Sequence, residues 1–157
     1  MIMTIDDLLN SGLDVSEEIA SEKLALAIGT AENFMVKPRL GGLYDSIVND
    51  PDGYDNLING GAWTVNTEYT TKTYQLTGLK YAILHLAYAF LLRQNIGATA
   101  FGSVMKKDDY SVNAAESELH NLARFHTTVG MAYLDEIMDA YGIDKTLNYP
   151  NYYEELV

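Results

Sequence analysis

Between Leu79 and Leu92 the chain is apolar on nearly every face, with Leu79, Tyr81, Ala82, Ile83, Leu84, Leu86, Ala87, Tyr88, Ala89, Phe90, Leu91 and Leu92 packed into one run. A helix apolar all round has to be surrounded, at the centre of a fold or in a membrane. Lys80 and Arg93 bound this run and His85 interrupts it. That leaves about a dozen apolar residues where a bilayer needs roughly 20. The run therefore predicts a central helix enclosed by the rest of a single domain, which 157 residues suffice to build.

The flanking segments predict what encloses it. Thr4 and Asp7 have capping-box spacing ahead of Leu8 and Leu9, and Gly12 ends that short helix. Ser16, followed by Glu17 and Glu18, opens a second helix. Ile19, Leu24, Ala27, Ile28, Ala31, Phe34 and Met35 carry its apolar face, and Pro38 closes it after Val36. Leu40, Leu43, Tyr44, Ile47 and Val48 repeat the helical spacing up to Asp50-Pro51-Asp52-Gly53, and Tyr54, Leu57 and Ile58 add a further turn or two. From Trp63 to Leu76 the pattern alternates, with Trp63, Val65, Thr67 and Tyr69 against Thr64, Asn66, Glu68 and Thr70, which reads as extended strand or a hairpin. Neither Asn-Gly nor Asp-Gly marks its turn, and two strands alone are marginal in water, so this piece is expected to lean on helices or on a neighbouring subunit.

Thr77 is the expected cap of the central helix, and Ser111 that of a long last helix carrying Val112, Ala115, Leu119, Leu122, Ala123, Val129, Ala132, Tyr133, Ile137 and Tyr141 up to Gly142. The fold class expected is mainly α: a helical bundle with a long C-terminal helix, a central buried helix and a small β-hairpin or extended insertion. The helical domain spans residues 1–142, with the insertion at about 62–76 and a loop at about 95–110. A C-terminal arm, residues 143–157, follows.

Charge and composition narrow the functions. Twenty-two acidic residues against ten basic ones give a net charge of -12, which repels a phosphate backbone and an anionic membrane surface and excludes a basic nucleic-acid reader. Without cysteine there is no disulfide framework, zinc-thiolate site or thiol nucleophile. The opening residues lack the basic and apolar regions of a signal peptide, so none is expected.

Catalytic signatures are missing in the same way. There is no Gly-x-Ser-x-Gly elbow or Gly-x-Gly-x-x-Gly, and Gly97 to Ser103 lacks the lysine of a phosphate-binding loop. Acidic pairs such as Asp6-Asp7, Glu17-Glu18, Asp108-Asp109 and Glu154-Glu155 are scattered and read as solvated surface. His120 and His126, six apart, fall on different faces of the last helix, whereas Glu116 and His120 share one. His85 reads as a buried histidine with a satisfied ring. The expectation is no enzyme, no metal and no cofactor. An alternative of another class is a cellular helical-bundle binding module, or a carboxylate/histidine metal protein using Glu116, His120 and His85.

Of the twelve tyrosines, Tyr81, Tyr88 and Tyr133 belong to helical patterns and read as core or near-core. Tyr44, Tyr54, Tyr69, Tyr74, Tyr110, Tyr149, Tyr152 and Tyr153 lie in or beside loops, strands and the arm, as in a protein with several interfaces. Candidate inter-subunit contacts are Trp63, Val65, Tyr69, Tyr74, Phe101, Val104, Met105 and Tyr110. The arm, with Tyr149, Pro150, Tyr152 and Tyr153, is the candidate docking segment.

The order of these elements, the helix Gly78-Leu-Lys-Tyr-Ala-Ile-Leu-His-Leu-Ala-Tyr-Ala-Phe-Leu-Leu-Arg93 and the loop Phe101-Gly-Ser-Val-Met-Lys-Lys107 leading into Ser111 resemble the helical head-to-tail connector, or adaptor, proteins of tailed bacteriophages. The version in Bacteroidetes phages and prophages, including crAss-like phages, is the most similar. The resemblance covers roughly residues 14 to 142 and is one of architecture and diffuse pattern. It implies a homo-oligomeric ring of about twelve copies under the portal protein, with further tail or ring proteins as partners. It further implies a channel that DNA crosses without sequence-specific binding, no membrane, assembly in the bacterial host cytoplasm and a place in the virion at the head-tail junction. By the same resemblance the arm would reach the portal. The insertion at Trp63 to Leu76 and the length of the loop at Asn95 to Tyr110 depart from the simplest members.

Overall fold

A computed structural model describes residues 1–15, 17–94 and 109–145, with the side chains of the last helix described from Glu118 onward. In chain order the elements are α1 (Ile5–Leu9), α2 (Ser21–Thr30), a π-helical stretch (Ala31–Val36), α3 (Lys37–Leu40), α4 (Gly42–Asn49), a 3-10 turn (Asp52–Tyr54), α5 (Asp55–Asn59), strands β1 (Gly61–Asn66) and β2 (Thr71–Leu76), α6 (Leu79–Arg93) and α7 (Asp109–Tyr141). The fold is mainly α, with a long last helix and one small antiparallel hairpin, as the sequence predicts. Among the described residues no helix is long and apolar enough to cross a membrane.

The all-round apolar run becomes α6, with ten of its 15 residues buried. α2, the π-helical stretch and α5 pack around it, and α7 runs alongside. Leu24, Ile28, Ile47, Leu57, Leu134 and Ile137 close the core against Leu79, Ile83 and Leu86 of α6. The two long helices touch most closely at Gly130, where a Cβ would stand 2.8 Å from Leu86 Cγ and 2.9 Å from the Ala82 carbonyl oxygen.

Around this centre several predicted boundaries shift. The capping box of α1 forms as expected: Thr4 Oγ1 accepts from Asp7 N–H at 3.1 Å, and the Asp7 carboxylate accepts from Thr4 N–H at 2.9 Å. Asp7 also meets Lys80 at 3.3 Å, tying α1 to α6. The second helix begins at Ser21, with no side-chain cap, rather than at Ser16, which lies outside the described residues. Nor does Pro38 end it. The chain widens into π geometry at Ala31–Val36 and runs on through α3, with Pro38 in that helix's first turn, where a missing N–H costs little, and stops at Gly41 (φ 53°). The π stretch turns Ala31, Glu32 and Val36 inward together and leaves Phe34 exposed.

At the hairpin, Trp63 pairs with Tyr74, Thr64 with Thr73 and Val65 with Lys72. Threonines close the turn that no Asn-Gly or Asp-Gly marks: Thr67 N–H donates to the Thr70 carbonyl at 2.8 Å, and Thr67 Oγ1 accepts from Thr70 N–H at 3.1 Å. The strands leave the helices through Gly60 (φ 91°) and Gly78 (φ 113°), whose backbones touch; a Cβ on Gly78 would meet Gly60 N at 2.6 Å. Gly78, not Thr77, is therefore the N-cap of α6. Thr77 instead donates its N–H to the Glu136 carboxylate at 3.0 Å, binding the base of β2 to α7. α7 begins at Asp109, two residues before the expected Ser111. It ends as expected at Gly142 (φ 64°), with Ile143 N–H donating back to the Met138 carbonyl at 2.9 Å. Its 33 residues give a rod of roughly 50 Å.

Candidate functional site at the hairpin

The hairpin is anchored on one side by aromatic rings from the flanking helices. Trp63 stacks between Tyr54, at 6.3 Å between ring centroids, and Tyr141, at 5.2 Å. This three-ring stack joins the start of α5, β1 and the end of α7. Both Trp63 and Val65 are half-buried on the inner face, with Tyr74 beside them on β2. Lys72 lies 4.5 Å from the Tyr74 ring centroid, so its charge rests on an aromatic face. Tyr69, at the tip, is 87% exposed.

A groove of about 500 Å³ runs beside the stack, lined by Trp63, Thr64, Val65 and Asn66 of β1, by Tyr74 of β2 and by the end of α7. Besides the side paired with β2, β1 has an outer edge that faces away from it. The Tyr141 hydroxyl is buried and makes no hydrogen bond among the described residues. Burial, and secondarily Tyr54, push its phenol up to about 12.

The main-chain pattern identifies which groups that edge offers. Thr67 N–H bonds across the hairpin, so by antiparallel alternation Trp63 and Val65 bond inward while Ala62, Thr64 and Asn66 face outward. Two contacts agree with this phase. The Ala62 carbonyl accepts from Asn56 Nδ2 at 3.2 Å, outside the hairpin, and the Thr64 and Thr73 hydroxyls meet at 3.1 Å as in a non-hydrogen-bonded pair. Among the described residues the sheet has two strands only, so the outer edges of β1 and β2 have no strand beside them.

Of the candidate contacts read from the sequence, the structure brings Trp63, Val65, Tyr69 and Tyr74 into this one element. Phe101, Val104 and Met105, the side chain of Tyr110, and the arm residues Tyr149, Pro150, Tyr152 and Tyr153 lie outside the described residues. Tyr54 and Tyr141, which complete the stack, carry no strand or turn signal that points to Trp63; only the folded chain joins them.

The histidines arrange themselves differently from the metal alternative. His85 meets His126, not His120, with Nδ1 to Nδ1 at 2.7 Å across the α6–α7 contact and the rings stacked at 22°. Two nitrogens on one tetrahedral metal stand about 3.3 Å apart, so this is a hydrogen bond between imidazoles and not a chelate. The side chain of Glu116 lies outside the described residues, and among those described no group of three or more His, Asp or Glu is placed to hold a metal.

Comparison with known proteins returns one family. No curated protein and no solved structure matches the chain. Residues 36–155, which take in α3 to α7 and the whole hairpin, match the family of unknown function DUF6712, and the chain belongs to that family.

Proposed function

We propose that this protein is a non-enzymatic structural subunit of a bacteriophage head-to-tail connector ring, docking under the portal protein and forming part of the DNA channel. The observation that carries the reading is the hairpin, seated by the Trp63 stack and, among the described residues, with no strand beside either outer edge. A heterologous ring needs two different, complementary faces on each subunit. The outer edge of β2 on one copy and that of β1 on the next supply such a pair, since strand addition satisfies main-chain groups without demanding a particular sequence. Three other features support the role. The sequence resembles connector proteins, no catalytic motif occurs in it, and its net charge of -12 suits a wall past which DNA slides without being held. In this reading about a dozen copies form the ring, further tail or ring proteins bind below, and the protein resides in the virion at the head-tail junction.

The test is Thr64→Pro. It removes an outward N–H and leaves the inward β1–β2 bonds in place, so the monomer is expected to fold while the ring is lost. Native mass spectrometry of wild type and variant reads the difference. A ring that survives Thr64→Pro unchanged removes the hairpin edge from the account, and a wild-type protein that stays monomeric with and without the portal removes the ring itself.

A further inference from the structure

The His85–His126 pair stands at a boundary in the core. On one side is the main cluster, to which α7 contributes Leu134, Ile137, Met138 and Ala140 and α6 contributes Leu79, Ile83 and Leu86. On the other is a separate small cluster of four buried residues, Tyr88, Leu92, Leu119 and Ala123, covered by half-buried Leu13, Val15 and Leu122. Among the described residues, the first half of α7 meets α6 through this small cluster, Leu119 and Ala123 against Tyr88 and Leu92, and next to it through the imidazole-imidazole hydrogen bond.

We propose that His85 and His126 form an acid-sensitive clasp that holds the first half of α7 against α6 and releases it, with the main core intact, once both rings carry a proton. The bond requires one Nδ1 to donate and the other to accept. A doubly protonated pair has two donors and no acceptor at 2.7 Å, and like charges face each other between stacked rings. The rings around the pair are uncharged. From α6, Tyr88 packs against His126 with centroids 4.8 Å apart; from α7, Tyr133 packs against His85 at 5.7 Å and Phe125 against His126 at 5.3 Å, each at a steep angle. From the segment before α2, Asp14 acts on the Tyr88 phenol rather than on either imidazole.

The direction of the effect follows from the neutral state that the fold prefers. Burial lowers the proton affinity of His85, and burial together with His85 lowers that of His126 to about 4. In the opened state both return toward the ordinary value near 6.5. The clasp's contribution is therefore complete above about pH 6.5 and is lost as the pH falls toward 4.

Hydrogen-deuterium exchange of the full chain at pH 7.5 and pH 4.5, corrected for intrinsic rates, tests this. Amides between residues 118 and 127 are expected to lose protection by about tenfold or more at the lower pH, while those of β1, β2 and residues 134–140 keep theirs. His126→Phe, which fits among Tyr88, Phe125 and the His85 ring without titrating, is expected to abolish the pH dependence; His85→Phe serves if that variant fails to fold. Unchanged protection in wild type, or the same loss in the folded phenylalanine variant, overturns the clasp. A loss spread evenly over all of α7 and the hairpin overturns it too, because it reports global acid unfolding. The clasp stands or falls independently of the ring.

Discussion

Tyr44 donates its hydroxyl hydrogen to Oε2 of Glu32 at 2.8 Å, while Oε1 of the same carboxylate accepts the main-chain N–H groups of Ile2, at 2.8 Å, and Met3, at 3.0 Å. A buried acid in the π-helical stretch thus fixes the start of the chain and α4 together. Burial first, and then the Glu32 carboxylate, push the Tyr44 phenol well above its usual range. Glu32→Ala strands three donors at once and is expected to cost about 3 kcal/mol, whereas Tyr44→Phe removes one neutral partner and costs about 1 kcal/mol. Urea unfolding followed by circular dichroism measures both; a Glu32→Ala loss no larger than that of Tyr44→Phe would contradict the arrangement.

Tyr141 gives a change in the other direction. Its hydroxyl is buried without a hydrogen-bond partner among the described residues, so Tyr141→Phe retains the stack on Trp63 and removes that unpaired polar group. Stability is expected to stay level or to rise by up to about 1 kcal/mol. Trp63→Ala removes the middle ring of the stack and is expected to loosen the hairpin, at a cost of about 2 kcal/mol for a half-buried aromatic. Thermal unfolding ranks the two variants, and an order reversed from this one would show that the stack does not seat the hairpin.

Gly130→Ala would ordinarily stabilise a helix by up to about 1 kcal/mol. Here the new methyl meets Leu86 and the Ala82 carbonyl under 3 Å away, with backbone on one side of it. The helices must part, and a net loss of about 1 to 3 kcal/mol is expected in the same unfolding assay. A gain in stability would mean that α6 and α7 do not touch at this point.

Asp7 carries a pH-dependent share of stability. Partial burial works to raise its pKa, but hydrogen bonds from Thr4 and the bond and charge of Lys80 outweigh it, and the carboxyl lies below its ordinary value. A carboxyl depressed in the folded state stabilises above its unfolded pKa and loses that contribution as the pH falls through the folded one. Asp7→Asn is therefore expected to be less stable than wild type at pH 7, with the gap closing as the pH falls below the carboxyl's ordinary value of 3.8. A gap that is constant from pH 7 to pH 2.5 would assign the loss to capping geometry and not to charge.

Much of this fold is legible in the sequence where one physical rule dominates a segment. The run from Leu79 to Leu92 has no polar face to show solvent and so had to be central, and the Thr4-Asp7 spacing and Gly142 mark their helix ends by local chemistry alone. The alternation at Trp63 to Asn66 likewise exposes a strand, although a turn closed by the Thr67 hydroxyl leaves no dipeptide signature. What is not legible depends on contacts made at a distance. Gly78 displaces Thr77 as a cap because Gly60 presses against it, and Pro38 is absorbed because a π stretch precedes it. The histidine pair joins residues 41 positions apart, so comparing His126 with His120 on its own helix pointed away from its true partner.

The central claim is the ring, and negative-stain electron microscopy of the purified protein, alone and mixed with a phage portal protein, tests it most directly. The account predicts rings of about a dozen copies, or a collar added to the portal, and the loss of either on Thr64→Pro. A single folded subunit that forms no ring and leaves the portal bare would contradict it.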